Sequence, residues 1–193
     1  MTQEIFYVTG NQGKFEEVNF FISRHSDDIV LKQYHVDLIE EQSLDQKAIA
    51  LSKAMQAWHL IKKPLLIDDS GIYFERYNKF PGTLTKFVYY GIGFEGILRL
   101  VHDDPRAYFF LYLIYVDGPN SYQIFEGKCE GKIVSPAEVF TAHPQFPYDE
   151  IFVPDGSRGR TYAQMRGTQD MDTFAYRLRA AKKFLEWYKE PKG

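Results

Sequence analysis

A single cysteine, Cys129, stands in a chain of 193 residues, so no intrachain disulfide and no thiolate metal cluster can form. That scarcity fits a reducing compartment and predicts a cytoplasmic protein. A basic excess is missing too. The 23 Lys and Arg are outnumbered by 26 Asp and Glu, for a net charge of -3. This excludes nucleic acid as the main partner but leaves room for a small anion held by a few lysines. No apolar run approaches roughly 18 residues, so no membrane-spanning helix is expected. A strand-like run begins within the first few residues, so no signal peptide is expected. No internal repeat, low-complexity segment or linker divides the chain, and its length suits one domain or one two-lobed unit. Aromatic residues are plentiful, with 14 Tyr and 16 Phe making up most of the 17% aromatic content. They supply buried area for a core and also platforms for a flat ligand.

Ile5-Phe6-Tyr7-Val8 is short, apolar and rich in strand formers. Thr9-Gly10-Asn11-Gln12-Gly13 breaks it, and from Lys14 a helical period places Phe15, Val18, Phe21 and Ile22 on one face. A second strand is predicted through Ile29-Val30-Leu31. Ser43-Leu44-Asp45-Gln46 reads as a capping box for a helix with a stripe of Leu44, Ala48, Leu51, Met55 and Trp58. Pro64 ends that helix, and Leu65-Leu66-Ile67 forms a third strand closed by Asp68-Asp69-Ser70-Gly71. Strand, helix, strand, helix, strand at these lengths implies an α/β sheet with crossover connections. Further on, Phe80-Pro81-Gly82 is a turn, and a helix is predicted over residues 94–102. A hairpin joins residues 107–116 to residues 121–125, and Gly127 and Gly131 flank another strand ending near Val134. The last helix carries Phe174, Leu178, Ala181, Leu185 and Tyr188 toward the core.

Three places combine residues that carry chemistry. In Thr9-Gly10-Asn11-Gln12-Gly13-Lys14, glycines between strand and helix let backbone N–H groups approach an anion. The helix start adds partial positive charge there, and Lys14 adds a full one. The spacing is not that of a Walker motif, so a plain tight turn is the alternative. Asp68-Asp69-Ser70-Gly71 lies where ligands bind in open α/β sheets. Two adjacent carboxylates there are costly without a cation or hydrogen bonds. Mg²⁺ suits one or two carboxylates plus water and phosphate oxygens, whereas a capping aspartate would account for only one of the pair. Glu40 and Glu41 precede the second helix, either complementing its dipole or giving a second metal ligand. Lys53 lies on another face from the Leu44 stripe, as a solvated lysine or a contact to a phosphate tail.

Taken together and in order, these pieces resemble the inosine triphosphate pyrophosphatase family, also called Ham1-like, over nearly the whole chain. Its T-G-N-x-x-K-x-x-E signature matches Thr9-Gly10-Asn11, Lys14 and Glu17, and its D-D-S-G matches Asp68 to Gly71. Its Pro-Gly turn matches Pro81-Gly82, and its G-x-x-x-G-x-I strand matches Gly127, Gly131 and Ile133. Its Y-D-x-I-F-x-P-x-G matches the run from Tyr148 to Gly156, and its T-x-A-E-M is similar to Thr161-Tyr162-Ala163-Gln164-Met165. The resemblance implies a two-lobed α/β fold with a long mixed sheet flanked by helices and a central cleft, assembled as a homodimer. It implies Mg²⁺-dependent cleavage of ITP, dITP and XTP to monophosphate and pyrophosphate, with Mn²⁺ a possible substitute. Thr9, Gly10, Asn11, Gln12, Gly13 and Lys14 would hold the triphosphate. Asp69 would be general base and metal ligand, assisted by Asp68 and by Glu40 or Glu41. Ser70 and Lys53 would touch substrate, and Phe146, Pro147, Tyr148 and Asp149 would line the base pocket.

The chain departs from the pattern at its last signature. The family's K-x-x-x-S-H-R reads here as Met171, then Ala175-Tyr176-Arg177. Met171 supplies no charge, and Tyr176 supplies only a hydroxyl donor. In the family that lysine and histidine help bind phosphates and the 6-keto base edge, a task that would fall here to Tyr176, Arg177 and backbone groups. The G-F-G-Y-D loop is Gln145-Phe146-Pro147-Tyr148-Asp149, where Pro147 fixes its own φ and biases Phe146 toward extended backbone. Two other readings stay open: a nucleotide-binding homologue without catalysis, and a Maf-like pyrophosphatase for modified pyrimidine triphosphates.

Overall fold

The computed structural model describes residues 2–136 and 145–190. The first apolar run forms β1 (Gln3–Val8), with Ile5, Tyr7 and Val8 buried. Helix α1 (Gln12–His25) buries Val18, Phe21 and Ile22, as its period predicts. Strand β2 (Ile29–Tyr34), helix α2 (Gln46–Ile61) and strand β3 (Leu65–Phe74) follow. β1 lies between β2 and β3 and is parallel to both, with Val8 opposite Tyr34 and Ile67. The carboxyl ends of β2 and β1 and the middle of β3 therefore lie side by side.

Helix α2 corrects two expectations. Its N-cap is Asp45, whose carboxylate accepts from the Ala48 amide at 3.1 Å, so the cap falls two residues after Ser43 and Gln46 is the first residue of the helix. The face it buries is Ile49, Ala50, Ala54 and Ala57, while Leu44 is 62% exposed and Leu51, Met55 and Trp58 pack half-buried beside the core. Small side chains let the helix axis approach the sheet closely, which moves the bulky stripe to its flanks. Lys53 consequently sits beside the buried face.

Strand β3 does not close at Asp68. It runs ten residues through the acidic pair to Phe74. Strand β4 (Pro81–Gly82) pairs antiparallel with Ile72 and Tyr73. A Cβ at Gly71 would stand 2.4 Å from the Gly82 carbonyl oxygen, so only glycine admits that approach. Helix α3 (Thr85–Leu100) begins well before the predicted residue 94 and is interrupted at Gly93, φ 58°. Strands β5 (Arg106–Gly118) and β6 (Ser121–Ile133) are neighbours joined by the expected tight turn, and β6 is one strand through Gly127 rather than two. A 3₁₀ turn (Pro147–Glu150), β7 (Phe152–Pro154), α4 (Tyr162–Met165) and α5 (Asp170–Phe174) lead to α6 (Tyr176–Lys189). Phe174 thus belongs to α5, while Leu178, Ala181 and Leu185 are buried from α6. The strands follow the order β2-β1-β3-β5-β6-β7, with β4 on β3, in a mixed sheet of seven.

The chain falls into two compact units. The first comprises Met1–Asp69, Leu111–Gly127 and Arg177–Gly193, and the second Ser70–Phe110 and Lys128–Tyr176. The first unit centres on Val8, Ala50, Ala54, Ala57, Leu65, Ile67, Ile114 and Val116. In the second, Phe109, Phe152, Tyr162 and Tyr176 form an aromatic cluster. Among the described residues no helix is long and apolar enough to cross a membrane.

Candidate active site

The first unit gathers its chemistry where the chain leaves β1. Asn11 caps α1, its carboxamide oxygen accepting from the Lys14 amide at 3.0 Å, while its own N–H donates to Thr9 Oγ1 at 3.1 Å. The first turn of any helix carries partial positive charge, so the start of α1 adds to the charge of Lys14 beside it. β2 pins this turn in place. Gln33 Nε2 donates to the Thr9 carbonyl at 3.0 Å, and the Thr9 N–H donates to the Tyr34 carbonyl at 3.0 Å. The His35 ring packs against Gly10 closely enough that an added Cβ would stand 3.1 Å from its Nε2.

Asp68 is buried opposite this turn. Lys14 Nζ lies 3.2 Å from both of its carboxylate oxygens, and Arg177 Nε donates to Oδ2 at 3.1 Å. The same guanidinium donates from Nη1 to Glu17 at 2.7 Å. Burial on its own would raise the Asp68 carboxyl, but Lys14 and Arg177 outweigh it and hold the group well below the usual carboxylate range. Burial also lowers Lys14, an effect Asp68 only partly offsets. The Tyr7 hydroxyl, enclosed beside Asp68, is pushed far up by burial and by that negative charge. Arg177, which the sequence reading assigns to substrate, is 1% exposed and engaged by two carboxylates. It acts as a brace that holds Asp68.

Asp69 has a different environment one residue on. Lys53 Nζ bridges it at 3.3 Å to Glu40 at 2.7 Å, and Gln46 Nε2 donates to its backbone carbonyl at 3.0 Å. Burial raises the Asp69 carboxyl, and the nearby Lys53 and Lys14 do not fully cancel that rise. Lys53 is raised overall, because Asp69 and Glu40 outweigh its own burial. Two adjacent carboxylates of one strand are thus driven apart, Asp68 firmly ionised and Asp69 more basic. Glu40 is the glutamate that shares the lysine, and Glu41 is exposed. Among the described residues no three His, Cys, Asp or Glu side chains form a ready-made metal cage, so Glu40, Glu41 and Asp69 do not converge as a trio.

The depressed Asp68 carboxyl has a consequence for stability. A carboxyl whose folded pKa lies below its unfolded value of about 3.9 contributes stability that is complete above that value and lost as pH falls through the folded one. The urea midpoint should therefore fall steeply below about pH 4. Asp68→Asn should flatten that acid limb, and equal slopes for the two proteins would remove Asp68 from the account.

Ser70 and the predicted base-pocket residues belong to the second unit. Tyr148 is buried, and its hydroxyl donates to the Thr85 carbonyl at 3.0 Å. Asp149 is buried and accepts from Arg166 Nε at 2.9 Å and also from Nη2. Phe146 is 8% exposed, with the Arg166 guanidinium carbon 4.1 Å from its ring centroid. Pro147 opens the 3₁₀ turn. Tyr176, at the family's histidine position, stacks on Phe109 at 4.7 Å and 7°. One face of the Phe146 ring is thus taken by the Arg166 guanidinium. Thr161 and Gln164 of the T-x-A-Q-M run make a true capping box for α4.

The structure brings Thr9, Gly10, Asn11, Gln12, Gly13, Lys14, Glu40, Lys53, Asp68, Asp69 and Arg177 into the first unit. Sequence reasoning overlooked Gln46, His35 and Arg166. It counted Glu17 only as part of a signature, although its place one turn after Lys14 puts both on one helix face.

Residues 5–187 match the Ham1 family. The chain is similar to the dITP/XTP pyrophosphatase of Pyrococcus horikoshii, 35% identical over 190 residues that cover 96% of this chain and 97% of that one. It is also similar to inosine triphosphate pyrophosphatase 2 of Trypanosoma cruzi, 34% identical over 165 residues covering 84% and 81%. In fold it resembles the solved structure of a HAM1 protein from Coxiella burnetii, with a TM-score of 0.77 at 24% identity over 98% of this chain and 100% of that one.

Proposed function

Because the chain belongs to the Ham1 family, we propose that it hydrolyses deaminated purine nucleoside triphosphates to the monophosphate and pyrophosphate, clearing ITP, dITP and XTP from the nucleotide pool. The observation that carries this reading is the geometry of the pair on β3: Asp68 braced by Lys14 and Arg177, beside Asp69 on a lysine it shares with Glu40. A carboxylate held in place by such partners is a group that proton removal from water can use. A pure binding protein would gain nothing from keeping two such carboxylates next to a polyanion.

The donor set around Asp69 suits a small hard dication. Glu40 and Asp69 both lie within 3.3 Å of one ammonium, and Mg²⁺ takes one or two carboxylates with water and phosphate oxygens in its remaining positions. Glu40 and Asp69 would hold Mg²⁺, or Mn²⁺ in its place, and the ion would neutralise phosphate charge and acidify a bound water. The chain's own groups do the rest. The positive start of α1 and Lys14 bind the triphosphate. Gln46 holds the Asp69 backbone and Lys53 orients its carboxylate, so that Asp69 accepts the proton of the attacking water. Such sites act mainly through positioning and electrostatics. The buried Cys129 forms no disulfide, which suits a reducing compartment, and we propose that the activity is cytoplasmic and the protein a homodimer.

Pyrophosphate release from ITP, dITP, XTP, ATP and a panel of pyrimidine triphosphates, with and without Mg²⁺, tests the reading. Release from the deaminated purines that stops on chelation is expected. Tight binding with no release would sink the enzymatic reading, and turnover confined to pyrimidines would sink the substrate class.

A further inference from the structure

Tyr7 takes no part in the chemistry proposed above, yet its hydroxyl is enclosed within the same cluster of charges in the first unit. It lies on β1 opposite Leu66 of β3. Side chains two apart on a strand share a face, so Tyr7 and Asp68 project from the same side of the sheet. The residue is fully buried, and among the described residues its hydroxyl has no hydrogen-bond partner. A buried hydroxyl left unpaired is costly, so each such group calls for an explanation. Burial and the charge of Asp68 hold its proton on, which leaves it a donor facing an acceptor.

Lys14 explains why a spare donor belongs here, because its two duties exclude each other. Its Nζ lies 3.2 Å from both oxygens of Asp68, and the same ammonium is the full charge offered to the triphosphate. An ammonium is a single compact charge, so a lysine drawn onto phosphate loosens its hold on the carboxylate. Arg177 Nε remains on Oδ2 at 3.1 Å, which leaves Oδ1 short of a donor. The Asp68 side chain is 1% exposed, so bulk water does not replace the ammonium. Taking one partner from a buried charge is strongly unfavourable, and without a substitute that penalty falls on binding of the anion.

Resting on the triphosphate binding proposed above, we infer that Tyr7 is a positioning residue for Asp68: its hydroxyl is held in reserve and donates to the carboxylate when Lys14 leaves for the polyanion. A small rotation of the carboxylate, with Arg177 still on one oxygen, closes the contact. Asp68 thus stays ionised and in place while the site fills.

The test is a cycle of Tyr7→Phe, Lys14→Met and the double variant, read by thermal melting without nucleotide. In the parent the hydroxyl is idle, so Tyr7→Phe should melt no earlier. In the Lys14→Met background the hydroxyl is engaged, and the same change should lower the melting temperature by about 5 °C. The second reading is affinity for inorganic triphosphate, measured by calorimetry in EDTA. Tyr7→Phe should bind it about 10- to 100-fold more weakly at an unchanged melting temperature. A hydroxyl that already has a partner, protein or water, would show an equal loss of melting temperature in both backgrounds, and that result overturns the inference. So does a triphosphate affinity that Tyr7→Phe leaves at the parent's value. If the parent binds no triphosphate but the cycle shows the coupling, the assignment of Tyr7 to Asp68 stands and the nucleotide reading of the site falls.

Discussion

Asp69→Asn should lose turnover by about 100- to 10,000-fold, the usual worth of a general base, while melting no earlier than the parent at neutral pH. The two halves of this expectation share a cause. Burial raises the Asp69 carboxyl, and Lys53 and Lys14 only partly offset it. A carboxyl whose folded pKa exceeds its unfolded value costs stability as pH rises through the folded value, and at neutral pH that cost is fully present. The carboxamide removes it at almost the same volume, and Lys53 retains Glu40 at 2.7 Å. Initial rates of pyrophosphate release paired with thermal melts at pH 7 decide the matter. A variant that keeps parental turnover takes Asp69 out of the mechanism. A variant that melts well below the parent shows Asp69 to be a structural anchor.

Arg177→Met should be among the most damaging single changes to the fold. The substitution is similar in length, but it strips the cation from between Glu17 and Asp68, both largely withdrawn from water. Removing one partner of a buried ionic group typically costs about 3–5 kcal/mol. At about 2–4 °C per kcal/mol for a chain of this size, the melting temperature should drop by roughly 10 °C. Lys14 still touches Asp68, which places the expectation toward the lower end. The double variant Glu17→Gln, Arg177→Met should recover most of the loss, because Asp68 then keeps Lys14 and no charge is left buried alone. Failure of that rescue would mean that Arg177 contributes through packing.

Much of the parallel half of the fold was legible from local pattern. The run Ile5 to Val8, the break at Gly10, the α1 stripe and the hairpin at Pro119-Asn120 each depend on interactions within a few residues. The start of α2 was misread because two capping schemes overlap there. Asp45 won over Ser43, and Gln46, read as half of a local box, reaches instead to the Asp69 carbonyl. The face of α2 was misread because bulk was taken for burial, whereas close packing on the sheet selects alanine. Strand β3 continues past its acidic pair because Gly71 lets the Gly82 carbonyl come close, a contact that Asp68-Asp69-Ser70-Gly71 does not announce.

By itself the sequence determined which groups exist and in what order: an anion-ready turn with a lysine, an acidic pair on a strand, a lone arginine where a histidine signature would end. Only the tertiary structure decided what each of them faces. Arg177 meets Glu17 across 160 residues of chain and Asp68 across 109, and Arg166 settles over Phe146 rather than in water. The reason is physical. Backbone propensity and capping act over one turn of chain and can be read along it, but the charge state of a carboxylate and the partner of a guanidinium depend on burial and on neighbours that only folding brings within reach.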